Sequence, residues 1–216
     1  MAWKLTVAAL LAAALAGAAL AGGPRVQHTP ADTAKAKGAL LRRADFPAGW
    51  TTQPPSISGR PAPCKSFSPN ESDLVETGAA VSPAFTAPDG FSQVYAVVAI
   101  FKTAAQAQAD WSRVVRPAMF PCFVALVTKL APAGSAVSVV SQGAVTVAKQ
   151  APRTAAYSLV VGVTPKGAQA AVKLYLDVVL LGRGRVEAAA IMVGVGQPYP
   201  GDFEATLVSV LAGRLA

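Results

Sequence analysis

Three apolar segments separated by tight turns fill the stretch from residue 153 to residue 196, and they constrain the fold more than any other feature of the sequence. The segments read RTAAYSLVVGV, AQAAVKLYLDVVLL and VEAAAIMVGVG, and the turn sequences TPKG and GRGR join them. Runs of Val, Leu, Ile and Tyr that are bounded by Gly and Pro are typical of β-strands. Because each connection is only a few residues long, neighbouring strands must run antiparallel. The sequence therefore predicts an antiparallel meander in this part of the chain.

The remaining segments predict an α+β fold. GFSQVYAVVAIF, from residue 90, is a predicted strand, and SAVSVVSQGAVTVAK, from residue 135, is strand-like with a turn near Gln142 and Gly143. Helix-forming composition and N-cap residues predict four helices, at 32–43, 104–115, 122–131 and 200–216. Antiparallel sheets commonly bury one face against helices and leave the other to solvent or a ligand. We therefore expect a two-layer sandwich, an antiparallel β-sheet with helices packed on one face.

The expected core joins that sheet face to the helices. On the last helix, Phe203, Leu207 and Leu211 recur every four residues and form one apolar stripe. On the strand from residue 90, alternate side chains point to opposite faces, which places Val98 and Ile100 together. The predicted core members are Val98, Ile100, Trp111, Leu176, Val178, Phe203, Leu207 and Leu211.

The beginning of the chain predicts export. After the basic start MAWK, an unbroken apolar run ends on Ala19-Leu20-Ala21, the small-x-small pattern that a signal peptidase reads. An uncleaved anchor remains the alternative, because about 20 apolar residues can span a bilayer, although a run rich in Ala and Gly inserts weakly. We expect a signal peptide at 1–21, a spacer at 22–30 and a single α+β domain at 31–216, with no stable membrane span after cleavage.

The two cysteines of the chain, Cys64 and Cys122, predict one disulfide. An exported protein meets an environment in which a disulfide persists. A zinc site is a poor alternative, because it needs four ligands and the chain offers two Cys and one His. A Cys nucleophile needs a nearby base, and the single histidine, His28, lies in the predicted spacer. We therefore predict a disulfide, no metal site and no cofactor.

The basic charge of the chain does not predict nucleic-acid binding. The formal net charge is +8, but the basic residues are scattered, with Arg42-Arg43 and the pair Arg183 and Arg185 as the closest groupings. Nucleic-acid binding generally uses a clustered patch or a recognisable module. We expect no nucleic-acid partner and only weak attraction to anionic envelope polymers.

Sequence motifs for hydrolysis are missing. No G-x-S-x-G elbow occurs, and no histidine beyond His28 could complete a Ser-His-Asp triad. Glu71, Asp73 and Glu76 lack the ordered acidic spacing of a calcium loop, and we expect a solvated acidic turn there. We predict no catalytic residues, and hydrolysis by paired carboxylates without histidine remains the enzymatic alternative.

The order of the segments resembles a known family. A helix ending in DFPAGW, a loop with Cys64, a strong strand, a helix pair with Cys122, a hairpin-rich half and a terminal helix follow one another between residues 33 and 215. This arrangement resembles the secreted actinobacterial domains typified by the extracellular sensor domain of the mycobacterial kinase PknH, and related lipoproteins with a PsbP/Mog1-like fold. The resemblance implies an envelope-facing, sensor-like or ligand-binding domain with one apolar-walled cleft. It implies no catalytic residues and no particular ligand.

Alternating aromatic residues predict a ligand-binding surface. Phe91, Tyr95 and Phe101 share one face of their strand, whereas Tyr157 and Tyr175 lie on the hairpin strands, and Asp177 shares the face of Tyr175. If these faces coincide, the sheet presents an aromatic surface with one charge, which suits a small molecule or an envelope glycan or lipid. The alternative is that loops or the N-terminal helix cover this face and make it a second core. Asp177 could also be solvent-exposed or paired with an arginine.

The sequence thus predicts a secreted or extracytoplasmic protein of the cell envelope. Its expected role is that of a non-enzymatic sensor or ligand-binding module stabilised by one disulfide. The alternative is an envelope hydrolase that acts through carboxylates.

Overall fold

The computed structural model describes residues 23–54, 64 and 66–215, so the predicted signal peptide at 1–21 lies outside the described residues. The strands are β1 (Arg25–Val26), β2 (Thr51–Gln53), β3 (Val75–Val81), β4 (Ala84–Thr86), β5 (Ser92–Phe101), β6 (Ala136–Ala144), β7 (Arg153–Thr164), β8 (Val172–Arg183) and β9 (Val186–Val195). The α-helices are α1 (Pro30–Ala39), α2 (Ala104–Val114), α3 (Phe120–Leu130) and α4 (Gly201–Gly213).

The strands form one mixed sheet, which confirms the predicted α+β class. The strand order is β1-β3-β5-β9-β8-β7-β6, and β4 pairs with both β2 and β5. Strand β1 runs parallel to β3, and the other pairings are antiparallel. The predicted meander forms β7, β8 and β9, each hydrogen-bonded to the next.

Helices cover the sheet from both faces, so the expectation of helices on one face is corrected. On the first face, α1 and α4 pack against the β5 residues Val94, Ala96, Val98 and Ile100. On the second face, α3 packs against a separate core that includes Tyr95, and Ala107 of α2 packs against Phe101. The physical reason lies in the strands, which carry apolar side chains at both odd and even positions. Both faces must therefore be buried.

The predicted core is divided between these two faces. Val98, Ile100, Leu207 and Leu211 lie in the first-face core, with Phe203 partly buried beside it. Leu176 and Val178 belong to the second-face core instead, because their positions on β8 point away from α4. Trp111 is only half-buried, and the guanidinium carbon of Arg153 lies 5.7 Å from its ring centroid.

Two segments differ from their predicted form. The turn expected near Gln142 and Gly143 is absent from the described chain, because β6 continues through both residues with a register shift between Val139 and Ser141. The predicted spacer contributes β1, the edge strand, and its His28 lies 2.8 Å from Glu76.

The acidic turn is less solvated than expected. Glu71 and Glu76 are buried, and Asp73 forms an exposed ion pair with Arg113. Glu71 and Glu76 are both buried because β1 and the 70–74 turn pack beside the start of β3. In the described part of the chain, no helix is long and apolar enough to cross a membrane.

One disulfide and two ion pairs join segments of the domain that are far apart in sequence. The predicted disulfide is confirmed between Cys64 and Cys122, whose Cα atoms lie 5.4 Å apart. Arg214, at the end of α4, donates two hydrogen bonds of 2.7 Å to the carboxylate of Asp45. Arg185 donates a 2.9 Å bond to Asp32 of α1. These ion pairs join α4 to the segment after α1, and α1 to the turn between β8 and β9.

Candidate functional site

The six predicted ligand-binding residues lie on two opposite faces of the sheet. Antiparallel register aligns Tyr95 with Ile191, Ile191 with Val178, and Val178 with Tyr157, so both tyrosines point to the second face. Tyr175 and Asp177, three positions and one position before Val178, point to the first face. The single aromatic surface that the sequence suggested is therefore not formed.

Four of the six residues belong to the second face and serve as packing. Phe101 is fully buried, and Tyr95 and Tyr157 are nearly so. Phe120 of α3 meets Tyr157 edge to face, with ring centroids 5.7 Å apart. Burial raises the pKa of Tyr95 far above its ordinary value. Phe91 is half-buried beside the same core. These positions match the alternative in which this face is a second core, although α3 covers it and not the N-terminal helix.

Tyr175 and Asp177 lie on the first face, outside the core that α1 and α4 bury. Register places Asp177 beside Ser158 and Gly143, and Tyr175 beside Val160 and Ser141, across β8, β7 and β6. We call this surface the open strip and define it by Val140, Ser141, Ser158, Val160, Tyr175 and Asp177. Val140 is 53% exposed, and the four residues on β7 and β8 are half-buried. The strip is a solvent-accessible surface of apolar, aromatic and hydroxyl groups.

Local sequence explains why α4 leaves the strip open. Leu207 and Leu211 pack into the same core as Ala188, Ala190 and Met192 of β9, where small side chains let the helix approach. Three of the first-face positions on β7 and β6 are the serines Ser158, Ser141 and Ser138, which offer little apolar surface to a helix. The helix therefore sits over β9, and the outer strands stay accessible.

Asp177 lies at the edge of the open strip that is nearest to α4. Burial raises the pKa of its carboxyl group, and a hydrogen bond from the hydroxyl of Ser158 partly opposes that rise. On the neighbouring strand β9 its partner is Met192, which is fully buried under α4. The carboxylate thus stands where the exposed strip meets the covered core.

A second carboxylate, Glu204, occupies the helical stripe that faces the sheet. It precedes Val208 and Leu211 by four and seven residues, and both are buried. Burial, together with the negative charge of Asp177, raises the pKa of Glu204 to about 7. Both the protonated and the ionised form of its carboxyl group are therefore populated near neutral pH. The carboxyl groups of Asp177 and Glu204 thus interact with each other at one edge of the open strip.

Tyr199, in the loop before α4, is the third residue of a cluster that we define by Asp177, Glu204 and Tyr199. The residue is 5% exposed, and its ring stacks on that of Phe203 with centroids 6.1 Å apart. Its hydroxyl oxygen is buried and has no hydrogen-bond partner among the described residues. Burial, and then the charge of Glu204, raises the pKa of Tyr199.

Sequence reasoning missed Glu204 and Tyr199. The signal for Glu204 was present, since an acidic residue stood four and seven residues before the apolar positions 208 and 211. No comparable signal existed for Tyr199, because its burial depends on how residues 196–198 cross β9. A Cβ at Gly194 would lie 2.3 Å from the carbonyl oxygen of Gln197, so this crossing requires glycine.

Two shallow cavities are present at the surface, and no residue that defines the strip lines either of them. One, of about 400 Å³, is lined by residues near the disulfide that include Phe67, Asn70, Arg113 and Arg116. The other, of about 390 Å³, lies between Val145, Lys149 and Thr154. Arg113 is already bonded to Asp73 and to the carbonyl of Asn70, so the first cavity offers one less committed cation, Arg116. Neither cavity contains a predicted site residue.

Comparisons with known proteins give a weak structural likeness. No protein-family model and no curated protein matches the sequence. Among solved structures, the chain is similar to the extracellular domain of PknH from Mycobacterium tuberculosis, with 13% sequence identity and a TM-score of 0.42. The match covers 87% of this chain and 98% of that domain. The chain thus has a weak, fold-level resemblance to that extracellular domain.

Proposed function

We propose that this protein is an exported, non-enzymatic ligand-binding or sensor module of the cell envelope. The observation that carries the proposal is the open strip, where the sheet presents Tyr175, Val160 and Val140 to solvent beside a carboxylate. A disulfide between Cys64 and Cys122 is compatible with an extracytoplasmic location, because such bonds persist outside the reducing cytoplasm.

The chemistry of the strip favours a ligand with both apolar and polar faces. The tyrosine ring and the valine side chains offer flat apolar area, which drives binding through burial. Ser141 and Ser158 offer hydroxyl groups that both donate and accept hydrogen bonds, and Asp177 accepts them. Envelope glycans, lipids and small molecules with this mixed character are the ligand classes that we propose.

A titration followed by nuclear magnetic resonance tests the proposal. The labelled, disulfide-bonded protein is titrated with soluble cell-wall glycan fragments and with short-chain envelope lipids. We expect amide shifts that centre on β7 and β8, around Val160, Tyr175 and Asp177. Replacing Tyr175 by Ala should weaken binding about tenfold, the equivalent of about 1.4 kcal/mol of lost ring contact.

The matched control is Gln142→Ala, an exposed substitution on the opposite face of β6. This variant should bind as the unchanged protein does. Shifts that cluster elsewhere, or equal affinity of Tyr175→Ala and Gln142→Ala for a bound fragment, would show that the strip is not the site.

The carboxyl pair supports a second candidate function, an envelope hydrolase. A carboxyl group whose pKa is about 7, as for Glu204, can act as a general acid beside a second carboxylate. Turnover of a wall polysaccharide that is lost in both Glu204→Gln and Asp177→Asn, and kept in Asp202→Asn, would favour the enzyme. Binding without turnover would favour the module.

A further inference from the structure

The two carboxyl groups beside the open strip have no cationic partner in the described structure. Neither Asp177 nor Glu204 lies within 4.0 Å of a basic nitrogen of residues 23–54, 64 or 66–215. By contrast, Asp32, Asp45 and Asp73 each bind an arginine. Partly buried carboxylates are normally paired, because an isolated charge is costly to remove from water.

The hydroxyl group of Tyr199 is a second, independent sign of a missing partner. A tyrosine hydroxyl that is buried without a hydrogen bond loses its interaction with water and gains nothing in return. Its ring stacks on Phe203 in the first turn of α4, and the charge of Glu204, in the same turn, acts on its hydroxyl group. The cluster therefore holds three oxygen-bearing groups whose hydrogen-bonding capacity is not filled by described residues.

The open strip supplies an apolar neighbour for whatever binds this cluster. Asp177 and Tyr175 are two positions apart on β8 and share the first face. Tyr175 in turn lies beside Val160 of β7. A ligand that reaches the carboxyl groups from solvent thus passes over a ring and an aliphatic side chain.

We propose that Asp177, Glu204 and Tyr199 bind the protonated primary amine of a ligand whose apolar or ring portion lies on the open strip. This inference rests on the proposed ligand-binding function and names the chemical class of the ligand. A primary ammonium group has three N–H donors, and the cluster offers two carboxyl groups and one hydroxyl oxygen as acceptors. The ring of Tyr175 adds a favourable face for a cation in its approach. Bound ammonium also offsets the repulsion between the two carboxylates.

A matched pair of probes tests the inference. Hexylammonium chloride and hexan-1-ol have the same alkyl chain and differ in the charged head group. The labelled protein is titrated with each probe at pH 7, and calcium chloride serves as a third probe for simple cation binding. We expect hexylammonium to bind at least tenfold more tightly than hexanol, with shifts at Ser158, Tyr175 and Asp177. Tyr199→Phe and Glu204→Gln should each remove most of this preference.

Asp202→Asn is the control, because Asp202 is an exposed acid on the same turn of α4 that points away from the sheet. It should keep the preference for the amine. Equal binding of hexylammonium and hexanol, absence of binding by hexylammonium, or tighter binding of calcium would each overturn the inference. If glycan or lipid fragments still bind the strip in that case, the proposed function stands and only the amine specificity fails. If neither fragments nor amine bind, both proposals fail.

Discussion

Removal of the disulfide should cost this domain a large share of its stability. The bridge joins residues 58 apart in sequence, and the Cα atoms of Cys64 and Cys122 lie 5.4 Å apart, within the usual range for an unstrained backbone. In the chain-entropy relation, closing a loop of this length removes about 14 cal/mol/K from the unfolded state. At 25 °C that corresponds to about 4 kcal/mol, against a typical net stability of roughly 5–15 kcal/mol.

The perturbation is the double variant Cys64→Ala, Cys122→Ala, compared with the unchanged protein in urea titrations followed by circular dichroism. We expect a loss of about 4 kcal/mol in the free energy of unfolding, or a fall in Tm of roughly 8–16 °C for a domain of this size. The unchanged protein in reducing agent should match the double variant, and the variant should be insensitive to that agent. Thiol titration of the unreduced, denatured protein should find no free thiol. A loss below about 1 kcal/mol would refute the reasoning from loop entropy.

Three further predictions follow from burial, close approach and charge. Leu207→Ala should lower the free energy of unfolding by about 2–5 kcal/mol, because Leu207 is fully buried; the exposed neighbour Thr206→Ala, measured in the same urea titration, should change it by under about 0.5 kcal/mol. Gly78→Ala should destabilise by about 1–3 kcal/mol, since the added Cβ would lie 2.5 Å from the carbonyl carbon of Asp32 in α1. Its control, Gly38→Ala, meets nothing within 4 Å and should be neutral or stabilising, so equal losses would contradict the close packing of α1 on β3. The raised pKa of Glu204, about 7 against 4.5, means that the folded state binds this proton more tightly than the unfolded state does. Its contribution to stability is therefore complete below pH 4.5 and is lost as the pH rises through 7. Urea midpoints measured from pH 4 to pH 8 should show this fall, and Glu204→Gln should flatten it; an unchanged slope would show that Glu204 does not titrate in this range.

Much of the secondary structure could be predicted from the sequence because the signals are local. The helix predicted at 104–115 begins after Thr103, an N-cap residue whose side chain accepts a hydrogen bond from the backbone of Gln106, at 3.1 Å. The turns at TPKG and GRGR contain Gly167 and Gly184, both with positive φ, which glycine adopts without strain. These features depend on a few neighbouring residues, and so do not need the rest of the fold to be known.

The candidate site could be predicted only in part. Tyr175 and Asp177 were chosen because they share a strand face, and the structure does place them together on the open strip. Glu204 and Tyr199 reach the same place from a segment more than twenty residues later, through the packing of α4 on β9. That packing depends on small residues such as Ala188 and Ala190 across the sheet, which a pattern along one strand does not reveal.

The sequence by itself determined the four helices, the strand from residue 90, the three strands of the meander and the pairing of Cys64 with Cys122. Alternation and capping act within short stretches, and a count of two cysteines allows one solution. Only the tertiary structure decided which side chains face each other. Alternation states that Tyr95 and Phe101, or Tyr175 and Asp177, lie on the same side of their own strand. It does not state which side of the next strand meets them, because a shift of register by one residue exchanges the two faces. The pairing of Tyr95 with Ile191 and of Tyr157 with Val178 fixed that choice. It placed both tyrosines in the second-face core. Tyr175 and Asp177 were left together on the open strip.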